Sequence, residues 1–190
     1  MYLITPLKNE DVKKLRVGDI VYLSGTVYTA RDKAHERALK EDRFPGNIRV
    51  GVIFHSGPLV KKEKDIWSMV SIGPTTSSRM NALEPGFIER FGVKAVIGKG
   101  GMDKAVAEAM KDKAVYLAMT GGCAATASSQ IKKVAGVEWL DLGVPEAVWI
   151  LEVEKLGPLI VAIDSKGNSL YEEVGRKVGK SLGRELKELK

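Results

Sequence analysis

The sequence predicts an α/β protein with a central sheet that is parallel or mixed. Between residues 66 and 142, short apolar segments alternate with segments of helical periodicity, which is the pattern of strands connected by helices. Three turns in this region that lead from a strand to a helix carry glycines, as ligand-facing turns of such sheets often do. The flanks on either side are richer in strand-like runs, which we expect to pair antiparallel.

The first part of the chain predicts two strands and one helix. DIVYL and VGVIF are apolar and rich in β-branched residues, and RDKAHERALKE places Ala34, Ala38 and Leu39 on one helical face. Glycine and proline mark the breaks between these segments. We expect strands at 19–23 and 50–54, a helix at 31–41, a turn at 44–47 and a solvated hairpin or loop at 61–65.

The α/β region and the segment after it predict the remaining elements. Strands are expected at 66–72, 95–97, 115–119 and 139–142, with helices at 78–91, 102–111 and 124–134. Two adjacent strands, at 147–153 and 159–164, lie on either side of Gly157-Pro158, and a turn follows at 165–168. Residues 1–170 are predicted to form one domain, and residues 171–190 a basic C-terminal helix or tail with a solvated face.

Composition indicates an ordinary globular protein. The 190 residues carry a net charge of +6 with basic and acidic side chains interleaved, and no RNA-binding motif or zinc module occurs, so we expect no nucleic-acid partner. No apolar run could span a bilayer and the N-terminus lacks a signal-peptide profile, so we expect a cytoplasmic protein without membrane contact. One cysteine and two histidines predict no metal site in this chain unless carboxylates or another chain contribute.

The glycine-bearing turns are candidates for one shared anion pocket. They read GPTT at 73–76, GKGG at 98–101 and TGGC at 120–123, without the spacing of a P-loop or a dinucleotide fingerprint. Helix starts beyond strand ends present free N–H groups to anions, and glycine allows a close approach to the backbone. A helix cap formed by the hydroxyl groups at 76–78, and plain tight turns at the glycines, are the alternatives. The candidate supporting residues are Thr76, Gly98, Gly100 and Gly101.

Two arginines, Arg31 and Arg79, are predicted at helix starts. The helix dipole disfavours a cation there, so a nearby anion or exposure to water must explain each arginine. Two guanidinium groups in these positions could hold two carboxylates through forked hydrogen bonds.

Several other residues are expected to have structural roles. His35 lies one turn beyond Arg31 and is expected on the surface rather than at the site, whereas His55 is expected to make a structural hydrogen bond. Cys123 at a helix start fits either an activated thiol or small-residue packing, and Asp103 is expected to cap a helix. Three aromatic residues are expected in the core: Trp67, Trp139 and Trp149.

Six segments, taken in order, resemble one known family. They are SGTVYTARDKAHER, HSGP, SIGPTTSSRM, VIGKGGM, TGGCAA and WLDLGVPEAVWILEV. Together they look like the β subunit of class I iron–sulfur-dependent fumarate hydratases. This domain forms the C-terminal part of single-chain versions and is similar to the β subunit of L-tartrate dehydratase. The resemblance covers about residues 7 to 171 and is specific to the family rather than to the substrate.

The resemblance implies a three-layer β/β/α swivelling domain that works as part of a lyase. The implied partner is an α subunit, in a heterodimer or an α2β2 assembly, which holds a [4Fe–4S] cluster through three cysteines and leaves one iron open. This chain, with its single Cys123, is expected to hold no cluster and to be inactive alone. The implied reaction is the reversible hydration of fumarate to L-malate, a step of the tricarboxylic acid cycle.

The resemblance also assigns site residues. Arg31, Arg79 and Lys99 correspond to contacts with the substrate's carboxylates, and Thr75 to the threonine proposed as catalytic base. A neutral hydroxyl is a poor base unless a neighbour accepts its proton, and an acidic or histidine side chain of the α subunit could do so. Two rival functions stay open: the β subunit of L-tartrate dehydratase, and a non-catalytic anion-binding or regulatory domain.

Overall fold

In the computed structural model of the chain, residues 1–46 and 51–188 are described, with the side chains of the last helix described as far as Leu182. The start of the strand predicted at 50–54 and the end of the turn predicted at 44–47 therefore lie outside the described residues. None of the described helices is both long enough and apolar enough to cross a membrane.

The described residues form nine strands and six α-helices. The strands are β1 (Tyr2–Ile4), β2 (Ile20–Thr29), β3 (Val52–Phe54), β4 (Leu59–Glu63), β5 (Ile66–Ser71), β6 (Ala95–Gly98), β7 (Val115–Ala118), β8 (Ile131–Glu138) and β9 (Val148–Ile163). The helices are α1 (Asn9–Lys14), α2 (Asp32–Glu41), α3 (Glu84–Phe91), α4 (Lys104–Met110), α5 (Ala124–Ser129) and α6 (Leu170–Glu188). Short 3-10 helices cover Ser77–Met80 and Leu140–Leu142.

Seven of these strands form one mixed sheet in the order β1-β2-β3-β6-β7-β9-β8. The first five strands in that order pair in parallel, whereas β9 pairs antiparallel with β7 and β8. The long strand β9 also pairs antiparallel with β2, which closes β2, β3, β6, β7 and β9 into a ring. β4 and β5 form a separate antiparallel hairpin. The predicted α/β class with a mixed central sheet is confirmed.

The sheet is covered by different layers on its two faces. On one face, α2, α3 and α4 contribute apolar side chains such as Ala38, Phe87 and Met110 to a common core. On the other face, the β4–β5 hairpin packs against the sheet, where Trp67 meets Trp149 edge to face at 5.1 Å between ring centres. All four residues of β6 are buried, because a central parallel strand is covered on both faces.

Several elements confirm the predictions closely. α2, α4, β3, β6 and β7 lie at the predicted places, and the hairpin at 61–65 turns at Lys64 and Asp65. Asp103 caps α4, since its carboxylate accepts a hydrogen bond from the Val106 N–H at 3.1 Å. Trp139 and Trp149 are buried, and Trp67 packs partly buried against the core.

Two predicted strand boundaries are wrong because the strands are longer. β2 continues to Thr29, since its second half pairs with both β3 and β9. The strands predicted at 147–153 and 159–164 are one continuous strand, β9. The Gln130 side-chain amide donates to the Gly157 carbonyl at 2.8 Å and accepts from the Gly157 N–H at 3.1 Å. The backbone groups of Gly157, the residue before Pro158, therefore bond to a side chain instead of a neighbouring strand.

The helix predicted at 78–91 is broken in the middle. Ser77–Met80 form a 3-10 turn, and α3 begins only at Glu84, with Pro85 in its first turn. Proline lacks an N–H and fits the first turn of a helix but not its interior, which explains the break.

The predictions for residues 124–142 are wrong in two places. The helix predicted at 124–134 ends at Ser129, and the residues that follow form β8 against β9. The strand predicted at 139–142 is instead a 3-10 turn, which Trp139 opens in a left-handed conformation with φ of 54°. Ile131 and Val134 can pack on the core from a strand as well as from a helix. The pairing with β9 therefore decides that this segment is a strand.

Candidate functional site

The candidate site lies at the carboxyl ends of the parallel strands. Arg31 follows β2 by two residues, His55 and Lys99 directly follow β3 and β6, and Thr120 follows β7 by two residues. Neighbouring parallel strands end at the same edge of a sheet, so these residues lie side by side. The glycine-bearing turns at 98–101 and 120–123 therefore share one edge, and backbone hydrogen bonds join the turn at 73–76, which follows β5 of the separate hairpin, to the same edge. The shared anion pocket stays a prediction.

Main-chain hydrogen bonds hold Thr75 between two of these strand ends. Its N–H donates to the His55 carbonyl at 2.6 Å, and its carbonyl accepts from the Lys99 N–H at 3.1 Å. The Ser77 N–H then donates to the Lys99 carbonyl at 3.0 Å. The Thr75 hydroxyl is half-buried and forms no hydrogen bond with the described part of the chain, so it is available to a ligand or a partner chain.

Each of the two predicted arginines already contacts a carboxylate. Arg31 Nε lies 3.2 Å from Glu146 Oε1, and Arg79 Nη2 donates to Asp32 Oδ2 at 2.6 Å. The Arg31 guanidinium also lies against Gly57, where an added Cβ would come within 2.7 Å of Arg31 Nη1. Glycine at position 57 therefore lets the HSGP turn approach this side chain closely.

Lys99 provides the positive charge that no internal carboxylate offsets. Its side chain is half-buried, passes beside Gly121, and makes no ion pair with any described residue. Three cations and two carboxylates lie at this edge, so this group of five side chains has one positive charge in excess. An anionic ligand is therefore favoured here.

The candidate supporting residues differ in what they do. Thr76 is exposed. A Cβ at Gly98 would overlap the Ser77 hydroxyl, and a Cβ at Gly101 would lie 2.9 Å from the Tyr171 ring, so both glycines permit close packing. Gly100 has a φ of +74°, a left-handed conformation that suits glycine.

The helix-cap interpretation of the hydroxyl groups at 76–78 is wrong for two of them. Thr76 stands at the N-cap of the 3-10 helix without a capping hydrogen bond from its side chain. The Ser77 side chain is buried and faces His55 Nδ1 at 2.9 Å instead. The 3-10 turn is too short to require the capping that a full α-helix needs at its first N–H groups.

A fully buried cluster of His35, His55 and Glu84 lies beneath this edge. The Nε2 atoms of His35 and His55 lie 3.3 and 3.0 Å from Glu84 Oε2. These are close charge contacts rather than well-aligned hydrogen bonds. The surface position expected for His35 is wrong, because this side chain lies against Phe87 with none of its area exposed. The structural hydrogen bond expected for His55 is confirmed by its contact with Ser77.

The three groups of this cluster have shifted pKa values. Burial would raise the pKa of Glu84, but the two imidazole rings outweigh it and lower that pKa to about 2. Burial also lowers the pKa of His35, yet its contact with Glu84 and its bond to the Arg31 carbonyl raise it above the ordinary 6.5. For His55, burial prevails and lowers the pKa below 6.5. These directions favour a protonated His35, an ionised Glu84 and a neutral His55.

Two groups of side chains are relevant to the binding of a metal ion or an iron–sulfur cluster: the buried His35, His55 and Glu84, and the lone Cys123. One ligand atom from each of His35, His55 and Glu84 lies within 4.8 Å of the others, but the internal charge balance makes an ion pair the better interpretation. A [4Fe–4S] cluster takes cysteine thiolates. Cys123 is the one cysteine of the chain, and its thiol donates to the Thr120 carbonyl at 2.9 Å. The residues of this chain therefore do not fit a cluster by themselves.

The sequence reasoning missed the acidic and hydroxyl residues that support the site. They are Asp32, Ser77, Glu84, Tyr116 and Glu146. One signal was present for Glu84, because it lies on the apolar stripe of its segment, four residues after Met80 and three before Phe87. A carboxylate in such a stripe indicates a buried partner.

The sequence pattern of the family described as "Fumarase C-terminus" matches residues 2–174. A protein of Methanocaldococcus jannaschii provisionally named L(+)-tartrate dehydratase subunit beta is 51% identical over 187 residues, which are 95% of this chain and 96% of that protein. The L(+)-tartrate dehydratase subunit beta of Escherichia coli is 47% identical over 90% of this chain and 86% of its own. A Geobacillus stearothermophilus protein provisionally named fumarate hydratase class I is 38% identical over 90% of this chain, which spans 34% of that longer protein.

Proposed function

The chain belongs to the fumarase C-terminus family, and on this premise we propose that it is the β subunit of a heteromeric [4Fe–4S]-dependent fumarate hydratase. Such an enzyme interconverts fumarate and L-malate, and this chain alone is inactive. The observation that carries the proposal is the placement of Thr75 and Lys99, joined by backbone hydrogen bonds, beside Arg31 at one sheet edge.

The charges at this edge suit a substrate with two carboxylates. Lys99 offers an ammonium group that pairs with no carboxylate among the described side chains, and it would attract and hold one carboxylate of the substrate. Arg31 uses Nε, and Arg79 uses one terminal nitrogen, for an internal carboxylate, so each guanidinium keeps further N–H groups for the substrate. Holding both carboxylates fixes the carbon atoms between them relative to the reacting groups.

Thr75 is the proposed catalytic base of this chain. In the dehydration direction, its oxygen takes the proton from the carbon next to the hydroxyl-bearing carbon, and the electrons of that C–H bond form the C=C bond. The hydroxyl group leaves with the C–O electron pair and becomes water by taking a proton from an acid of the partner subunit. The Thr75 hydroxyl can act as the base only if its own proton passes to another group. No described atom of this chain forms a hydrogen bond to that hydroxyl, so the acceptor comes from the partner subunit.

The α subunit is the proposed partner, in a heterodimer or an α2β2 assembly. Relatives at 51% and 47% identity are named as subunits beta, which supports a second, different chain. The resemblance assigns the [4Fe–4S] cluster to that chain, where its open iron would act as a Lewis acid on the substrate. Thr76, Ser78 and Arg79 are exposed, as residues of a shared site would be in a lone β chain.

L(+)-tartrate dehydration is the second candidate function. It is favoured because the relatives at 51% and 47% identity carry that name, whereas the relative named as a fumarate hydratase is 38% identical. Both reactions remove or add water on a four-carbon dicarboxylate. The residues assigned to the two carboxylates, Arg31, Arg79 and Lys99, would serve either substrate.

The test is to co-express this chain with an α chain that carries three cluster cysteines, purify the pair without oxygen and assay fumarate, L-malate and L(+)-tartrate. We expect water addition or removal by the pair and none by the β chain alone. If the pair turns over only L(+)-tartrate, the substrate is tartrate and not fumarate. If the pair is inactive while the β chain alone binds dicarboxylates, the non-catalytic anion-binding domain would be the better interpretation.

A further inference from the structure

A continuous chain of buried polar side chains runs beneath the site. It contacts the three segments that carry Arg31, Thr75 and Lys99, which follow β2, β5 and β6. His35 Nδ1 lies 2.8 Å from the Arg31 carbonyl, and its Nε2 faces Glu84. Glu84 also contacts His55, whose Nδ1 lies 2.9 Å from Ser77 Oγ. The Tyr116 hydroxyl completes the chain, since it lies 3.0 Å from Ser77 Oγ and 2.9 Å from the Gly100 carbonyl.

We propose that His35, Glu84, His55, Ser77 and Tyr116 are positioning residues that fix Arg31, Thr75 and Lys99 relative to one another. The inference rests on the proposed function, in which those three residues act on the substrate. None of the five touches the substrate in this proposal, because each acts through the backbone of a neighbouring segment.

The proposal follows first from where the contacts end. His55 is bonded twice to the Thr75–Ser77 segment, through its carbonyl to the Thr75 N–H at 2.6 Å and through its ring to the Ser77 hydroxyl. Tyr116 holds the carbonyl of Gly100, the residue after Lys99. One buried network therefore touches the three loops that must stay in register for a substrate to be held.

The donor and acceptor groups assign the protons of the network. His35 Nδ1 faces a backbone carbonyl and its Nε2 faces a carboxylate, which are both acceptors, so both nitrogens carry protons and the ring is an imidazolium. His55 Nε2 also faces Glu84, but its Nδ1 faces a hydroxyl that can donate. A neutral His55 with its proton on Nε2, accepting from Ser77, satisfies both contacts. The single Tyr116 proton is then shared between Ser77 Oγ and the Gly100 carbonyl. The charges of His35 and Glu84 then cancel within the core.

Stability alone does not account for this network. Burying charged and polar groups costs solvation, and well-packed apolar residues of similar size are often as stable or more so. Glu84 lies on the same face of α3 as Phe87 and Ile88, three and four residues later, and all three are buried. An apolar side chain at this position would avoid that cost. The bonds of His35 to the Arg31 carbonyl, of His55 to the Ser77 hydroxyl and of Tyr116 to the Gly100 carbonyl are directional, which apolar packing cannot supply.

The test compares two network variants with a matched control. Ser77→Ala and Tyr116→Phe each remove one buried hydroxyl, and Ser165→Ala removes another, 4% exposed and bonded to the Val12 carbonyl at 3.5 Å. Ser165 lies at the opposite edge of the sheet, since its carbonyl accepts from Asp112 ahead of β7. All three variants keep the backbone and lose similar packing.

The first measurement is amide hydrogen exchange in the full-length 15N-labelled chain, which requires no activity. We expect exchange of the Thr75 and Lys99 amides to accelerate about tenfold or more in Ser77→Ala and Tyr116→Phe, and not in Ser165→Ala. Equal exchange in all three variants would overturn the proposal. If exchange responds as expected but the complex with the α subunit is inactive on every dicarboxylate, the proposed function fails and the positioning of these loops stands.

The second measurement is steady-state kinetics of the complex, with concentrations corrected for folded protein. Because Tyr116 holds the loop after Lys99, Tyr116→Phe should mainly raise KM, about tenfold. Because Ser77 belongs to the segment of Thr75, Ser77→Ala should mainly lower kcat, by a similar factor. Partial unfolding alone would leave KM unchanged in both. Values of kcat and KM within twofold of Ser165→Ala for both network variants would contradict the proposal.

The ring nitrogens of the two histidines give an independent signature. 15N spectra of the histidine-labelled chain should contain one imidazolium with both nitrogens protonated and one neutral ring protonated at Nε2, because the chain has two histidines. Two neutral rings with the same tautomer would overturn the proton assignment. Metal-bound Nε2 signals, with a stoichiometric ion found by elemental analysis, would make the cluster a metal site instead.

Discussion

The guanidinium group of Arg79 lies 2.6 Å from the carboxylate of Asp32, which joins the 3-10 turn after Thr76 to the first turn of α2. The Arg79 side chain is 49% exposed and the Asp32 side chain 25% exposed. The value of such a pair for stability is therefore small. Its effect is on orientation, because it ties an arginine of one loop to Asp32, the residue after Arg31 in another.

Arg79→Ala is expected to raise KM for the dicarboxylate at least about tenfold, since a charged hydrogen bond to a carboxylate is lost. Asp32→Asn should raise KM a few fold, because Arg79 keeps its charge but loses the group that orients it. The matched control is Arg90→Ala, because Arg90 on α3 is as exposed as Arg79 and pairs with Asp42 at the end of α2. A lower KM in Asp32→Asn would instead mean that Asp32 competes with the substrate.

Arg31→Lys keeps the positive charge but is expected to reduce kcat/KM about tenfold or more. Lysine lacks the planar fork of donors, and it cannot contact Glu146 and a substrate carboxylate in the same geometry. Steady-state kinetics of the complex test this expectation. Arg37→Lys is the control, because Arg37 also contacts carboxylates but lies on the outer surface of α2. Equal kinetics of Arg31→Lys and the native complex would remove Arg31 from substrate binding.

Thr75→Val is expected to lower kcat about a hundredfold or more, the range found when an acid–base group is lost. Valine has nearly the same shape as threonine, and the backbone bonds to His55 and Lys99 do not involve the side chain. Thr126→Val is the control, since this hydroxyl is exposed on α5 and outside the proposed chemistry. A kcat of Thr75→Val within twofold of that of Thr126→Val would exclude Thr75 from the proton transfer.

The sequence reasoning located the strand ends of the site because their signals are local. Apolar β-branched runs followed by glycine or by the HSGP turn predict where β3, β6 and β7 end, and a shared edge follows from parallel pairing. Segments such as 131–138 carry no such local signal. Their apolar residues fit a helix or a strand, and the partner strand β9, far along in the chain, decides.

The partners of the site residues could not be predicted in the same way. Glu146 reaches Arg31 from a loop 115 positions later, and Tyr116 reaches Ser77 across 39 positions. Such contacts depend on the order of strands in the sheet, which short-range patterns do not encode. The family resemblance supplied Thr75 and Lys99 as candidates, but not the buried His35, which the pattern of α2 placed at the surface.

Cys123→Ser is expected to leave the iron content and the electron paramagnetic resonance signal of the complex unchanged. The thiol of this chain is half-buried and bonded to the Thr120 carbonyl, and a cluster needs several cysteine ligands. The control is a serine substitution at one cluster cysteine of the α chain, which should abolish the signal. Loss of iron on Cys123→Ser would show that the β chain contributes a ligand.

Glu84 is expected to make folding sensitive to acid. Its pKa is about 2 in the folded chain against 4.5 when unfolded, so its contribution is fully present above pH 4.5 and is lost as the pH falls towards 2. The ionised Glu84 therefore adds roughly 3 kcal/mol to the free energy of unfolding above pH 4.5, compared with a pH at which it is protonated in both states. The two histidines have opposite effects on stability. The pKa of His55 is lowered in the folded chain, so His55 destabilises the fold below pH 6.5. The pKa of His35 is raised, so its stabilising contribution is lost once the pH rises past its pKa in the folded chain.

Urea unfolding from pH 7 to pH 3 measures the total loss of unfolding free energy. The 13C shift of the Glu84 carboxyl isolates the contribution of Glu84. That shift should stay constant between pH 6 and about pH 3.5, while glutamates in the urea-unfolded chain titrate. A folded-state midpoint at or above 4.5 would mean that burial outweighs the two imidazole contacts.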